Sequence, residues 1–186
     1  MKRITSLLLA LGLLVVTVLA CSCGKKEEEQ PNTVTITFPE GYTISQYASL
    51  LEKNGVCSAS AFLDACKTIP TGYEDLLAGT AQDGRVFALE GYLFPDTYEF
   101  YKNEDVNTVL ARFLKNTRAK LSSDTLSRAT ELGLSTDELL TFASMVQAEC
   151  SIPAEMGHVA SVFWNRLNSS SFPYLGSDVT RQYIEQ

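Results

Sequence analysis

The chain has 186 residues, 45% of them hydrophobic and 20% charged, enough apolar material for one ordinary domain or two small ones. With 22 acidic side chains against 15 basic ones, the formal charge is -7. An acidic protein gains nothing by neutralising phosphates, which argues against nucleic acid as a partner and leaves hydrogen bonding and stacking as the means of gripping any polymer.

The first residues, MKRITSLLLALGLLVVTVLACSCGKKEEEQ, set a basic start before an uncharged run from Ile4 to Gly24. That run suits a signal-peptide core and is slightly short for a relaxed bilayer span. The VLAC tetrad ending at Cys21 resembles a bacterial lipobox, with small Ala20 just before the cysteine and Leu19 in a less typical place. The expected product is a lipoprotein, cleaved after residue 20, acylated on Cys21 and held outside the cytoplasm on the bacterial cell membrane. A single uncleaved N-terminal transmembrane anchor is the alternative. Residues 21–32 are small, charged and proline-containing, and read as a flexible tether. The five cysteines include no C-x-x-C pair, and His158 is the one histidine. No metal site and no cofactor are expected.

From Thr33 to Phe38 the pattern alternates, with Val34, Ile36 and Phe38 on one face, which predicts a half-buried strand. Thr43 with Gln46 forms a capping-box pattern for a helix carrying Ile44, Tyr47, Ala48 and Leu51 on one side, and Gly55 stands where a C-cap glycine belongs. Ser58 begins a second helix, with Ala59, Phe62, Leu63 and Cys66 on one face, limited by Pro70. Residues 71–88 carry no clear period. In LEGYLFPDTYEF, residues 89–100, aromatic side chains on both sides of the Pro-Asp turn predict extended segments flanking it.

Helical spacing returns with Val106, Val109, Leu110 and Phe113, and a short helix ends near Gly133. Ser135 and Glu138 form a second capping box, heading a stripe of Leu139, Phe142, Ala143, Val146 and Cys150. Pro153 opens a further helix with Met156, Val159, Ala160, Phe163 and Leu167 on one face. At about 100° per residue, Glu149 falls roughly 80° from the centre of the first stripe, on the rim of its apolar face. A carboxyl at such a rim would be partly desolvated, a setting that favours the protonated acid needed to donate to a leaving group. The alternative is an ordinary helix-end glutamate in water.

LEGYLFPDTYEF at 89–100, ASMVQAEC at 143–150 and VASVFWNRL at 159–167 resemble marker segments of the endolytic murein transglycosylases, and LGSDVTRQY at 175–183 resembles a fourth, Leu-Gln-Ser-Asp-Pro-Thr-Val-x-Tyr. Residues 34–63 likewise resemble the lysin-motif-like module that precedes the family's catalytic part. The resemblance implies an α+β chain: a lysin-motif-like module over 33–88, then a mainly helical α+β catalytic domain over 89–186 that is incomplete at its C-terminus. It implies that Glu149 is the catalytic acid and that Tyr92, Asp96, Tyr98, Asn165, Arg166 and Asp178 line the substrate cleft. A structural alternative has Arg166 bracing Asp96 or Asp178, and Asp96 capping its own turn.

The implied reaction is non-hydrolytic cleavage of peptidoglycan glycan strands between N-acetylmuramic acid and N-acetylglucosamine, leaving a 1,6-anhydro end. It would act on nascent strands at the membrane, with cell-wall polymerases as possible partners. Departures from the family pattern fall at Gln147, where an acid is usual, and at Gly176 and Val179 in the fourth segment. The rival expectation is a catalytically impaired lipoprotein that binds peptidoglycan without cutting it.

Overall fold

Alternation in the sequence becomes a strand where one face can be buried. The computed structural model describes residues 32–79, 84–172 and 174–185; Cys21, the leader and the tether lie outside them. Strand β1 (Thr33–Thr37) pairs antiparallel with β2 (Thr97–Tyr101), with Val34 opposite Phe100 and Ile36 opposite Tyr98. Threonines occupy the outer face, where the Thr37 and Thr97 hydroxyls meet at 2.9 Å.

Two strands alone are marginal in water, so the inner face must be covered. Helices α1 (Ile44–Lys53), α2 (Ala59–Ala65) and α3 (Val106–Lys120) supply the cover. The Thr43–Gln46 capping box forms as the spacing predicts, and Ser58 caps α2 by accepting from the Ala61 N–H. Gly55, at φ +72°, turns the chain out of α1 in a conformation that disfavours any side chain. Asp105 caps α3 through the N–H groups of Asn107 and Thr108.

Phe113 stands at the centre of the core, fully buried. Its ring lies 5.0 Å from Phe38, 5.4 Å from Tyr47, 4.6 Å from Tyr98 and 5.6 Å from Phe100, centroid to centroid. Edge-to-face aromatic pairs of this kind add stabilisation beyond the area they bury.

The expectation of extended chain on both sides of Pro95 holds only after it. Before it, residues 88–92 form turns, with the Tyr92 N–H donating to the Leu89 carbonyl at 2.9 Å and Gly91 at φ +86°. The left-handed glycine breaks a strand there.

The C-terminal part is helical: α4 (Ser123–Glu131), α5 (Thr136–Glu149), α6 (Pro153–Leu167) and α7 (Val179–Ile184). Pro153 at the first turn of α6 forces the break from α5, since it cannot continue a helix. Helices α5 and α6 pack through Phe142, whose ring lies 6.4 Å from both Phe163 and Trp164. Their apolar stripes are thinly covered: Val146 and Phe163 are buried, but Ala143 and Leu167 are exposed.

Replacing Phe113 by alanine would leave a cavity facing these four rings and that of Phe62, 6.3 Å away. Phe113→Ala should cost about 3–5 kcal/mol of unfolding free energy, read as a lowered urea midpoint. A loss under about 1 kcal/mol would mean that the core re-forms without it.

Candidate active site

The site is built on the end of α5. Ser135 and Glu138 reciprocally cap the first turn, and Asp137 beside them ties that turn to the core. The Asp137 carboxylate accepts two hydrogen bonds from Arg85 Nη2, each at 2.8 Å, and a third from the Tyr92 hydroxyl at 3.1 Å. Asp137 is only 9% exposed, so this pairing is what makes its burial tolerable.

At the opposite end of α5 the chain leaves the helix at Cys150, which is extended at φ -137° and ψ 116°. Glu149 is the last helical residue, and its side chain is solvent-exposed. The shielded rim expected from periodicity is therefore absent among the described residues. Phe142 and Met145 are only half-buried, and the last turn of α5 extends past the contact with Phe163. The Glu149 carboxylate is nonetheless not free: Oε1 accepts a hydrogen bond from Ser177 Oγ at 2.5 Å. Beside it, Gln147 Nε2 donates to Glu40 Oε2 at 2.7 Å, linking α5 to the β1–α1 loop.

Residues 175–183 gather the other segments. Arg166 Nη1 donates to the Leu175 carbonyl, and its guanidinium lies 5.6 Å from the Phe172 ring centroid. Gly176 takes φ +62°, and a Cβ there would approach Arg166 Nη1 to 3.2 Å, so glycine suits this departure from the family pattern. Ser177 reaches Glu149, and Tyr183 at the far end of α7 hydrogen-bonds to the Glu90 carboxylate.

Glu90 also accepts from the Ile44 N–H at 3.2 Å, capping α1. Burial pushes the Glu90 carboxyl above its usual range, against the opposing pull of the Ile44 N–H, Tyr183 and Arg85. Burial, together with the charge of Glu90, likewise raises the Tyr183 phenol.

The residues expected to line a cleft divide. Tyr92 is 0% exposed and Tyr98 is 8% exposed, and both serve the interior. Tyr98 donates to the Phe94 carbonyl at 2.6 Å, while Tyr92 holds Asp137. Neither presents a ring to a surface where a sugar could stack, because their aromatic bodies complete the core. Asp96 caps its own turn through the Thr97 N–H at 2.8 Å and accepts from Asn116 at 3.1 Å. These hydrogen bonds, the Thr97 N–H first, hold its carboxyl below the usual range. Arg166 braces neither Asp96 nor Asp178 but the Leu175 carbonyl. Asn165 and Asp178 are exposed. Sequence reasoning singled out Asp178 and passed over Ser177 next to it, although the serine belongs to the quoted fourth segment.

The YceG-like family model matches residues 17–186. The chain belongs to the YceG-like family. A relative in Streptococcus pneumoniae serotype 2, named endolytic murein transglycosylase, is 32% identical over 160 residues, 78% of this chain and 28% of its own length. One of the same name in Bacillus subtilis is 38% identical over 82 residues, 42% of this chain and 22% of its own. This YceG-like chain thus spans little more than a quarter of the pneumococcal protein it matches. A crystal structure of a YceG-like protein from Listeria monocytogenes superposes with a TM-score of 0.69 at 23% identity, covering 82% of this chain and 52% of that one. The shared fold is the YceG-like α+β arrangement.

The raised Glu90 carboxyl has a consequence for stability. The folded state holds that proton more tightly than the unfolded chain, so the stability it adds is full below the ordinary value of 4.5. It is lost as pH rises through the higher folded value. Glu90→Gln should remove this slope, which urea midpoints measured from pH 4 to pH 8 would reveal. Parallel profiles for the two proteins would contradict the assignment.

Proposed function

We propose that the chain cleaves peptidoglycan glycan strands internally and without water, with Glu149 as the catalytic acid and base. The observation that carries this reading is the meeting of the fourth marker segment with the end of α5, where Ser177 Oγ lies 2.5 Å from Glu149 Oε1. The names of the pneumococcal and Bacillus relatives support the substrate class.

A hydrolytic glycosidase ordinarily needs two carboxyls, one of them to activate water or attack the sugar. Here one is sufficient. Protonated Glu149 gives its proton to the glycosidic oxygen as the bond from C1 of N-acetylmuramic acid breaks. The resulting carboxylate takes the proton of the C6 hydroxyl, and that oxygen bonds to C1. The glycan gains a 1,6-anhydro end, N-acetylglucosamine leaves with the glycosidic oxygen as a new hydroxyl, and the acid is restored with no water consumed. In the free protein Glu149 faces solvent, so the bound strand itself provides the exclusion of water that strengthens such electrostatic contacts. Asn165, exposed on α6, is available to an acetamido group, and exposed Asp178 to a sugar hydroxyl.

Residues 33–88 act as a lysin-motif-like glycan grip on this reading. The register of β1 with β2 supports extending that unit to Tyr101 instead of ending it at residue 88. Acylation of Cys21 would hold the enzyme at the membrane, where cell-wall polymerases deliver new strands.

Glu149→Gln keeps size and one accepting oxygen, so the fold should survive while cleavage of purified sacculi stops. Mass analysis of the wild-type digest should show anhydro-ended fragments, lighter by one water than hydrolysis products. Wild-type rates from Glu149→Gln would remove Glu149 from the mechanism. Retention on sacculi without new ends would leave a glycan-binding lipoprotein.

A further inference from the structure

The Ser177 hydroxyl has two neighbours and one proton. It accepts from the Val179 N–H at 3.3 Å, so that proton is free to be donated to Glu149 Oε1. The 2.5 Å separation is at the short end of the range for a hydroxyl donating to an oxygen, about 2.5–3.0 Å. Ser177 is also held in place. Arg166 fixes the Leu175 carbonyl two residues before it, Gly176 turns the chain toward α5, and Tyr183 anchors the far end of α7 to Glu90.

We propose that Ser177 is a positioning residue for Glu149, occupying Oε1 so that Oε2 carries the proton in both halves of the reaction. The proposal rests on the reading of Glu149 as the acid. A carboxyl has two equivalent oxygens, and an exposed one can present either. A donor fixed on Oε1 removes that ambiguity. The proton then sits on the oxygen facing away from Ser177, where the glycosidic oxygen must lie. After the transfer, the same donor stabilises the new carboxylate, and Oε2 keeps its lone pair for the C6 hydroxyl proton.

The test compares wild type, Glu149→Gln, Ser177→Ala and Ser177→Thr of the full chain on purified glycan strands across pH. Ser177→Ala should lower kcat about tenfold, the loss expected for one hydrogen bond to a charged group, and leave KM nearly unchanged. Ser177→Thr, which keeps the hydroxyl, should restore kcat. If Glu149→Gln is inactive while Ser177→Ala matches wild type in kcat, the proposal is wrong and the reading of Glu149 stands. If Glu149→Gln cleaves like wild type, or if the wild type itself leaves no new ends, that reading has failed. The contact itself is then decided by the carbon-13 signal of the Glu149 carboxyl. A changed chemical shift in Ser177→Ala, restored in Ser177→Thr, supports the Ser177 coupling, and an unchanged one overturns it.

Discussion

The carboxylate of Asp137 secures the helix that carries the candidate acid. Helix α5 has a thin apolar seam, with Val146 its one buried hydrophobic side chain, so packing alone holds it weakly. Its first turn is instead fastened by the pair of hydrogen bonds from Arg85 and the one from Tyr92. A largely buried carboxylate with three donors is a rigid joint, because removing any donor leaves a charge poorly solvated. Asp137 also lies at the positive end of the helix dipole, which favours its charge. From Asp137 to Glu149 the helix runs about 18 Å, and a rod anchored at one end needs a second restraint at the other.

Residues 175–183 provide that restraint. They touch three separate places: the Glu149 carboxylate through Ser177, the α6 guanidinium through Leu175, and Glu90 through Tyr183. Glu90 in turn caps α1, and Gln147 reaches Glu40 on the β1–α1 loop. The strand-helix unit expected to grip glycan and the helix expected to cut it are thus joined by polar contacts as well as by the sheet. The arrangement suits a reaction in which one carboxyl performs both proton transfers.

Local patterns in the sequence declare most of the elements. Both capping boxes, the serine and aspartate caps, and the alternation of Val34, Ile36 and Phe38 are each written within a few residues, and each forms. Pairing of β1 with β2 is not local: 60 residues separate the joined Thr37 and Thr97, and no short pattern records such a partner. The tyrosines misled for a physical reason. A tyrosine that fills a core and one that stacks on a sugar share the same composition, and only burial separates them. Wheel geometry put Glu149 beside the apolar stripe but could not tell how much of that stripe would be covered. Ser177 was hidden because a lone serine in a loop carries no period, and only the fold brings it across 28 residues to Glu149.

The central claim is that Glu149 breaks the glycan with the sugar's own C6 hydroxyl as nucleophile, not water. Digestion of purified strands in water enriched with heavy oxygen tests this most directly. The account predicts new muramic ends that carry no label, with C6 joined to C1 in a closed anhydro ring. Heavy oxygen at C1 of the new ends would show that water attacked, and would contradict it.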